Sequence, residues 1–129
     1  MGEYQTIANE AIALCQKFYN TCISQGLEPF GLANTLGGIY FKYIASVLDS
    51  NMKEVYEDEP DKYESERLDL FRIMENTFMM VPGTLHRDID AFTSDRIKEG
   101  LCDFGGESMI PIIDEWCDAA KEQFSERLG

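Results

Sequence analysis

Apolar side chains recur at steps of three and four residues along most of the 129-residue chain. This repeat is the signature of one face of an α-helix. Glycine and proline, the residues that stop helices, stand between these stretches. Alternating apolar and polar runs, which would indicate strands, are only a few residues long, and no Asn-Gly or Asp-Gly hairpin pair occurs. The pattern predicts a single all-α domain over residues 1–129, a compact bundle or irregular array of four to five helices.

The first predicted helix covers residues 3–25, and Gly26 follows as its C-terminal stop. The second covers about residues 29–49. Residues 50–61 either extend this helix or form a short one that Pro60 ends. Because the second helix is apolar around much of its circumference, we expect it to lie at the centre of the fold.

Two adjacent glycines, Gly37 and Gly38, fall in the middle of the second predicted helix. A glycine at such a position costs roughly 1 kcal/mol relative to alanine. One explanation is close helix packing or a bend, and the other is room for a ligand. We favour packing or a bend, because an interior glycine usually has a packing reason.

Three further helices are predicted in the second half of the chain. Asp61 and Glu64 resemble a capping box that opens the third, whose apolar stripe extends to Val81. Thr84 is expected to cap a fourth helix, and Ser108 a fifth. The fifth is expected to tolerate a proline in its first turn and to bury one face. That proline is Pro111, and the face consists of Ile113, Cys117, Ala120 and Phe124.

The cysteines show no C-x-x-C pair and no nearby histidine, which excludes the usual zinc spacings. An extracellular disulfide scaffold would carry more cysteine in a shorter chain. We therefore expect all four to be small buried hydrophobic residues. They are Cys15, Cys22, Cys102 and Cys117.

Residues 86–106 contain His-Arg-Asp and Asp-Phe-Gly, two short motifs of protein kinases. Thr93 stands where the magnesium-binding asparagine belongs, and no glycine-rich phosphate loop or strand lysine precedes the motifs. The same stretch imitates a calcium loop through Asp88 and Glu99, but Phe92 occupies a ligand position. We predict neither a kinase nor a calcium site.

Carboxylate-rich helices also raise the question of a di-metal centre. That centre needs two Glu-x-x-His pairs, whereas the chain has one histidine, His86. Carboxylates one helical turn apart, such as Glu54 with Glu57 and Glu115 with Asp118, are better explained by a solvated face than by magnesium. We expect no catalytic residue, no metal ligand and no cofactor.

The net charge is −13, from 24 acidic and 11 basic residues. Residues 49–69 and residues 103–126 each carry −6, and the other 84 residues together carry −1. So acidic a chain repels nucleic-acid phosphates and anionic lipids, so we expect no direct nucleic-acid binding and no membrane binding. No apolar run spans a membrane, and an acidic residue stands where a signal peptide carries a basic one. We expect a cytoplasmic protein.

Two groups of four carboxylates are the candidate binding residues. The acidic turn consists of Glu57, Asp58, Glu59 and Asp61. The acidic row, spaced by three, four and four residues, consists of Glu115, Asp118, Glu122 and Glu126. Like charges at this helical spacing cost a few tenths of a kcal/mol per pair, which solubility alone would not require.

Two classes of function follow. In the first, a binding or regulatory protein docks a basic protein partner through these carboxylates, as an inhibitor, an immunity-type protein, an adaptor or a nucleic-acid mimic. In the second, a small metal-dependent enzyme or ligand-binding protein uses carboxylates from several helices. We favour the first, because the charge segregation is countable and no catalytic set is complete. The apolar run at residues 78–81 also predicts a homodimer.

Overall fold

The computed structural model describes residues 2–26, 32–87, 93–103 and 107–128. Within these ranges it contains five α-helices and no β-strand, which confirms the all-α prediction. The helices are α1 (Gly2–Ser24), α2 (Leu32–Val55), α3 (Pro60–Phe78), α4 (Ser94–Asp103) and α5 (Ile110–Phe124). Short 3-10 turns, Thr84–His86 and Glu107–Met109, follow α3 and precede α5.

Helix α2 lies at the centre of the fold, as its apolar circumference predicts, and it packs against the other four helices. It continues through Val55, so the first part of residues 50–61 extends it, with Met52 buried. The other side chains that it buries in the core are Leu36, Tyr40, Phe41, Tyr43, Ile44, Ala45 and Leu48.

An aromatic cluster joins α1, α2 and α5. The ring centroids of Phe18 and Tyr40 are 4.7 Å apart, and Trp116 meets both rings edge-on at 5.8 and 6.3 Å. The Tyr40 hydroxyl donates a 2.5 Å hydrogen bond to the carbonyl oxygen of Trp116. Edge-on pairs of this kind add stabilisation beyond the area that the rings bury.

The predicted start of α3 is wrong in detail. Pro60 opens α3 instead of ending the preceding element, and the N-cap residue Glu59 makes no side-chain hydrogen bond to the helix. The predicted capping box at Asp61 and Glu64 therefore does not form the cap. Proline fits this position because its fixed φ suits a first turn and its missing amide hydrogen would have had no intrahelical partner.

The end of α3 also differs from the prediction, because the helix stops at Phe78. Met79 adopts a left-handed conformation (φ 63°), and Val81, expected in the buried stripe, is 69% exposed. The buried Glu75 accounts for this ending. Its two carboxylate oxygens accept hydrogen bonds from the amides of Gly83 and Leu85, at 3.0 and 2.8 Å, and thereby fold the chain back.

The fourth predicted helix is shorter than expected. Thr84 starts a 3-10 turn and Arg87 is extended, so Thr84 does not cap α4. The actual cap is Thr93, whose hydroxyl oxygen accepts a 3.4 Å hydrogen bond from the amide of Arg96. Residues 88–92, which the prediction included in this helix, lie outside the described residues.

The predicted burial along α5 is confirmed for all four residues of its inner face, and Pro111 lies in its first turn. Ser108 does not cap α5. It lies in the preceding 3-10 turn, and the N-cap residue is Met109, which makes no side-chain hydrogen bond to the helix.

Three of the four cysteines are buried, as predicted, and all four are free thiols. Burial raises the pKa of the Cys22 and Cys117 thiols to about 11. The prediction is wrong for Cys102, which is exposed on α4. This helix is short and buries Ile97, so its last turn leaves a small apolar residue in solvent. Within the described residues, no helix is long and apolar enough to cross a membrane.

Candidate functional site

The acidic turn connects α2 to α3. The chain leaves α2 at Val55, turns through residues 56–58 and enters α3 at Pro60. The four carboxylates of the turn are all exposed. Asp61 lies in the first turn of α3, where the positive end of the helix dipole stabilises a carboxylate.

The acidic row lies along the outer side of α5. Its four members are all exposed, whereas Cys117 and Ala120, which alternate with them along the chain, are buried. The helix ends at Phe124, so Glu126 lies just beyond it in the turn that follows. The two faces of α5 therefore separate an apolar contact with α2 from a carboxylate surface in solvent.

None of these eight carboxylates is neutralised by a close cation in the part of the chain that the structure describes. The ion pairs found there involve other acidic residues: Asp49 with Lys53 and Arg67, Asp114 with Lys98, and Glu10 with Arg127. Surface carboxylates without a partner keep their full charge available for a ligand or another protein.

The end of the acidic row lies beside the helix from which the acidic turn emerges. Glu54, in the last turn of α2, and Glu126 line one groove of about 330 Å³. The amide of Leu128 donates a 2.6 Å hydrogen bond to the buried Asn51 Oδ1, which ties the chain after α5 to α2. One end of the row and the start of the turn therefore belong to the same end of the helical array.

One acidic residue of the 49–69 segment is not on the surface. Asp49 is buried and pairs with Arg67 on α3, at 3.1 Å, and with Lys53 on its own helix, at 3.5 Å. The Tyr63 hydroxyl donates a 2.5 Å hydrogen bond to the same carboxylate, and burial followed by this bond raises the pKa of Tyr63. The charge count by segment did not reveal this internal pair, because sequence spacing does not show which acid turns inward.

The kinase-like motifs form no recognisable site in the described chain. His86 packs its ring against Phe71, with centroids 5.1 Å apart, and Glu99 is exposed on α4. Asp88, Asp90 and residues 104–106 lie outside the described residues. Over the described ranges, no three His, Cys, Asp or Glu side chains lie close enough together to hold a metal ion.

The glycine pair of α2 lines an open groove instead of a close helix contact. A Cβ atom added to Gly37 or Gly38 would meet no atom of another helix within 4 Å. The groove has a volume of about 380 Å³ and is lined also by Ile12, Tyr19 and Phe78. Close packing, the explanation favoured from the sequence, is therefore wrong at these two positions.

Comparison of the chain with protein-family models, with curated proteins and with solved structures finds no match in any of the three.

Proposed function

We propose that the protein is a small cytoplasmic binding or regulatory module that docks a basic protein partner through the acidic turn and the acidic row. The observation that carries the proposal is the unpaired state of the eight exposed carboxylates in the described chain. Opposite charges on two proteins accelerate their encounter and select against partners of the wrong charge. An inhibitor, an immunity-type protein, an adaptor or a nucleic-acid mimic would each use such a surface.

The geometry of the helices supports a contact of this kind. The row extends over 11 residues, from Glu115 to Glu126, which at 1.5 Å per residue is about 16 Å of helical surface. Its lower end lies beside Glu54 on α2, and the acidic turn follows that helix directly. A basic surface of modest size could therefore touch both groups of carboxylates at once.

The test is retention of a basic partner by immobilised protein as a function of salt. We expect capture from cell extract at low salt and release at ~0.5 M salt, where the Debye length falls to about 4 Å. The double variants Glu57→Gln/Glu59→Gln and Glu122→Gln/Glu126→Gln should each retain less of that partner.

The matched control is Glu99→Gln/Glu107→Gln, which removes two exposed carboxylates outside the turn and the row. This control should bind as the native protein does. Equal loss of binding in all three variants would mean that only net charge matters. A captured protein that is acidic, or that resists high salt, would contradict the proposal.

We also propose that the apolar loop after α3 joins two copies of the chain. Met79 is 91% exposed, and Val81 is largely exposed, while Phe78 and Met80 pack partly against the core. Exposed apolar groups in so charged a protein favour contact with another apolar surface. Sedimentation at micromolar concentration should give a dimer mass that Met79→Ser/Val81→Ser lowers to that of a monomer. A monomeric native protein would contradict this.

A further inference from the structure

Hydroxyl groups gather around one lysine in a groove between α2, the start of α4 and α5. The groove has a volume of about 260 Å³, and Lys121 of α5 lies at its side. The hydroxyl-bearing residues that line it are Tyr43, Ser46, Ser50, Thr93 and Ser94. Hydroxyls and an ammonium together are a set of hydrogen-bond donors suited to an oxyanion.

The Tyr43 side chain is the most informative member of this set. It is 6% exposed, and its buried hydroxyl has no hydrogen-bond partner among the described residues. A buried polar group left in this state is costly, so a ligand that accepts its hydrogen would relieve the cost. Burial, followed by the neighbouring Cys117 thiol and Asp118 carboxylate, raises the pKa of Tyr43. The hydroxyl therefore keeps its proton and stays a donor.

Lys121 and the start of α4 supply positive charge to the same groove. Lys121 is the single base of the acidic 103–126 segment, yet no carboxylate in the described chain pairs with it within 4 Å. The N-terminus of α4 adds the partial charge of a helix of 10 residues. The Thr93 oxygen accepts the amide hydrogen of Arg96, which leaves the hydroxyl hydrogen of Thr93 available for a ligand.

We propose that this groove binds the phosphate group of a small phosphate monoester. Tetrahedral phosphate presents several acceptor oxygens, which matches donors arriving from three helices, and its charge matches Lys121 and the helix terminus. Two carboxylates nearby, Asp95 and Asp118, oppose an anion, but both are exposed to solvent, which screens their charge. This site is independent of the acidic docking surface.

The groove continues toward a second end of opposite charge. Val47, Ser50 and Lys121 line both this groove and the neighbouring one, where Glu54 and Glu126 lie. A ligand whose phosphate lies at Tyr43 would direct its other end at these carboxylates. An amino group at that end would pair with them, so the structure assigns the site to an amino-bearing phosphate monoester.

Inorganic phosphate and phosphoethanolamine are the probes. At constant ionic strength, phosphate should raise the melting temperature saturably and more than chloride does. Phosphoethanolamine should bind more tightly than methyl phosphate, and Glu54→Gln should abolish that preference. Equal binding of the two esters would overturn the assignment of an amino group.

Variants then separate the site from general charge effects. Lys121→Gln and Tyr43→Phe should each weaken phosphate binding about tenfold, the effect of losing one hydrogen bond to a charged group. Tyr43→Phe should keep the fold, because the hydroxyl that it removes has no partner; Ser50→Ala provides a second variant on the groove. Lys17→Gln, an exposed lysine on α1 away from the groove, is the control. Undiminished binding by Tyr43→Phe and Ser50→Ala, or equal loss in Lys17→Gln, would overturn the proposal.

Discussion

Arg67 Nε lies 3.1 Å from Asp49 Oδ1, the oxygen that also accepts a 2.5 Å hydrogen bond from the Tyr63 hydroxyl. The Arg67 guanidinium lies over the rings of Tyr63 and Phe71, which cover much of it. Asp49 is 2% exposed, so this ion pair joins α2 to α3 inside the protein and not on its surface. A carboxylate in such a position depends on its cation, because it has little contact with water.

Replacing Arg67 by methionine should therefore lower the free energy of unfolding by about 3 kcal/mol, the usual result of leaving one buried charge unpaired. Urea denaturation measures this loss, and Asp49→Asn in the same chain should recover part of it. Arg72→Met, an exposed arginine on the same helix, is the control and should change little. A loss no larger than that of the control would contradict a structural role for the pair.

Removal of the Glu75 side chain should destabilise the loop that follows α3. Glu75 is 3% exposed and accepts the amide hydrogens of Gly83 and Leu85. Glu75→Ala leaves both amides without an acceptor, and we expect a loss of about 3 kcal/mol in urea denaturation. Exposed Glu64→Ala on the same helix should stay within about 0.5 kcal/mol of the native protein. Faster hydrogen exchange at Leu85 in Glu75→Ala would locate the effect, and unchanged exchange would contradict it.

Alanine at Gly37 or Gly38 should stabilise the protein. The added Cβ meets no atom of another helix within 4 Å, and alanine lowers the conformational entropy lost in a helix. We expect a gain of about 0.5 to 1 kcal/mol per substitution in thermal or urea denaturation. Gly83→Ala gives the opposite sign, because Gly83 has a φ of 89°. Destabilisation by Gly37→Ala would show that a neighbouring helix does pack there.

Alkaline pH should destabilise the protein through its buried thiols. Burial raises the pKa of Cys22 and of Cys117 from 9.0 to about 11. The folded protein therefore keeps protons that the unfolded chain releases, so the free energy of unfolding falls as pH rises from about 9 toward 11. Urea denaturation at a series of pH values measures the slope, which should be shallower in Cys22→Ala/Cys117→Ala. An identical slope in that variant would assign the effect to other groups.

Helix faces were predictable because burial along a helix follows the 3.6-residue repeat. Cys117 and Phe124 are buried where the pattern places them, and α2 is central because its apolar residues surround it. Helix ends were less predictable. Met79 ends α3 because a carboxylate one turn earlier binds amides after the helix, and no local pattern announces a contact of that kind.

The acidic turn and row were predictable as exposed residues, since charge stays in water unless it is paired. The exception, Asp49, needed Arg67 from another helix, and that pairing exists only in the folded chain. The Tyr43 groove has the same origin, because its hydroxyls and lysine come from three helices far apart in sequence.

The sequence by itself determined the helical class, the buried faces and the segregation of negative charge, because these depend on side-chain periodicity and on the hydration of charges. Only the tertiary structure decided which acid turns inward, why two glycines border open space and where donors converge on one lysine. These features depend on the distances between helices, which the order of residues along a single helix does not specify.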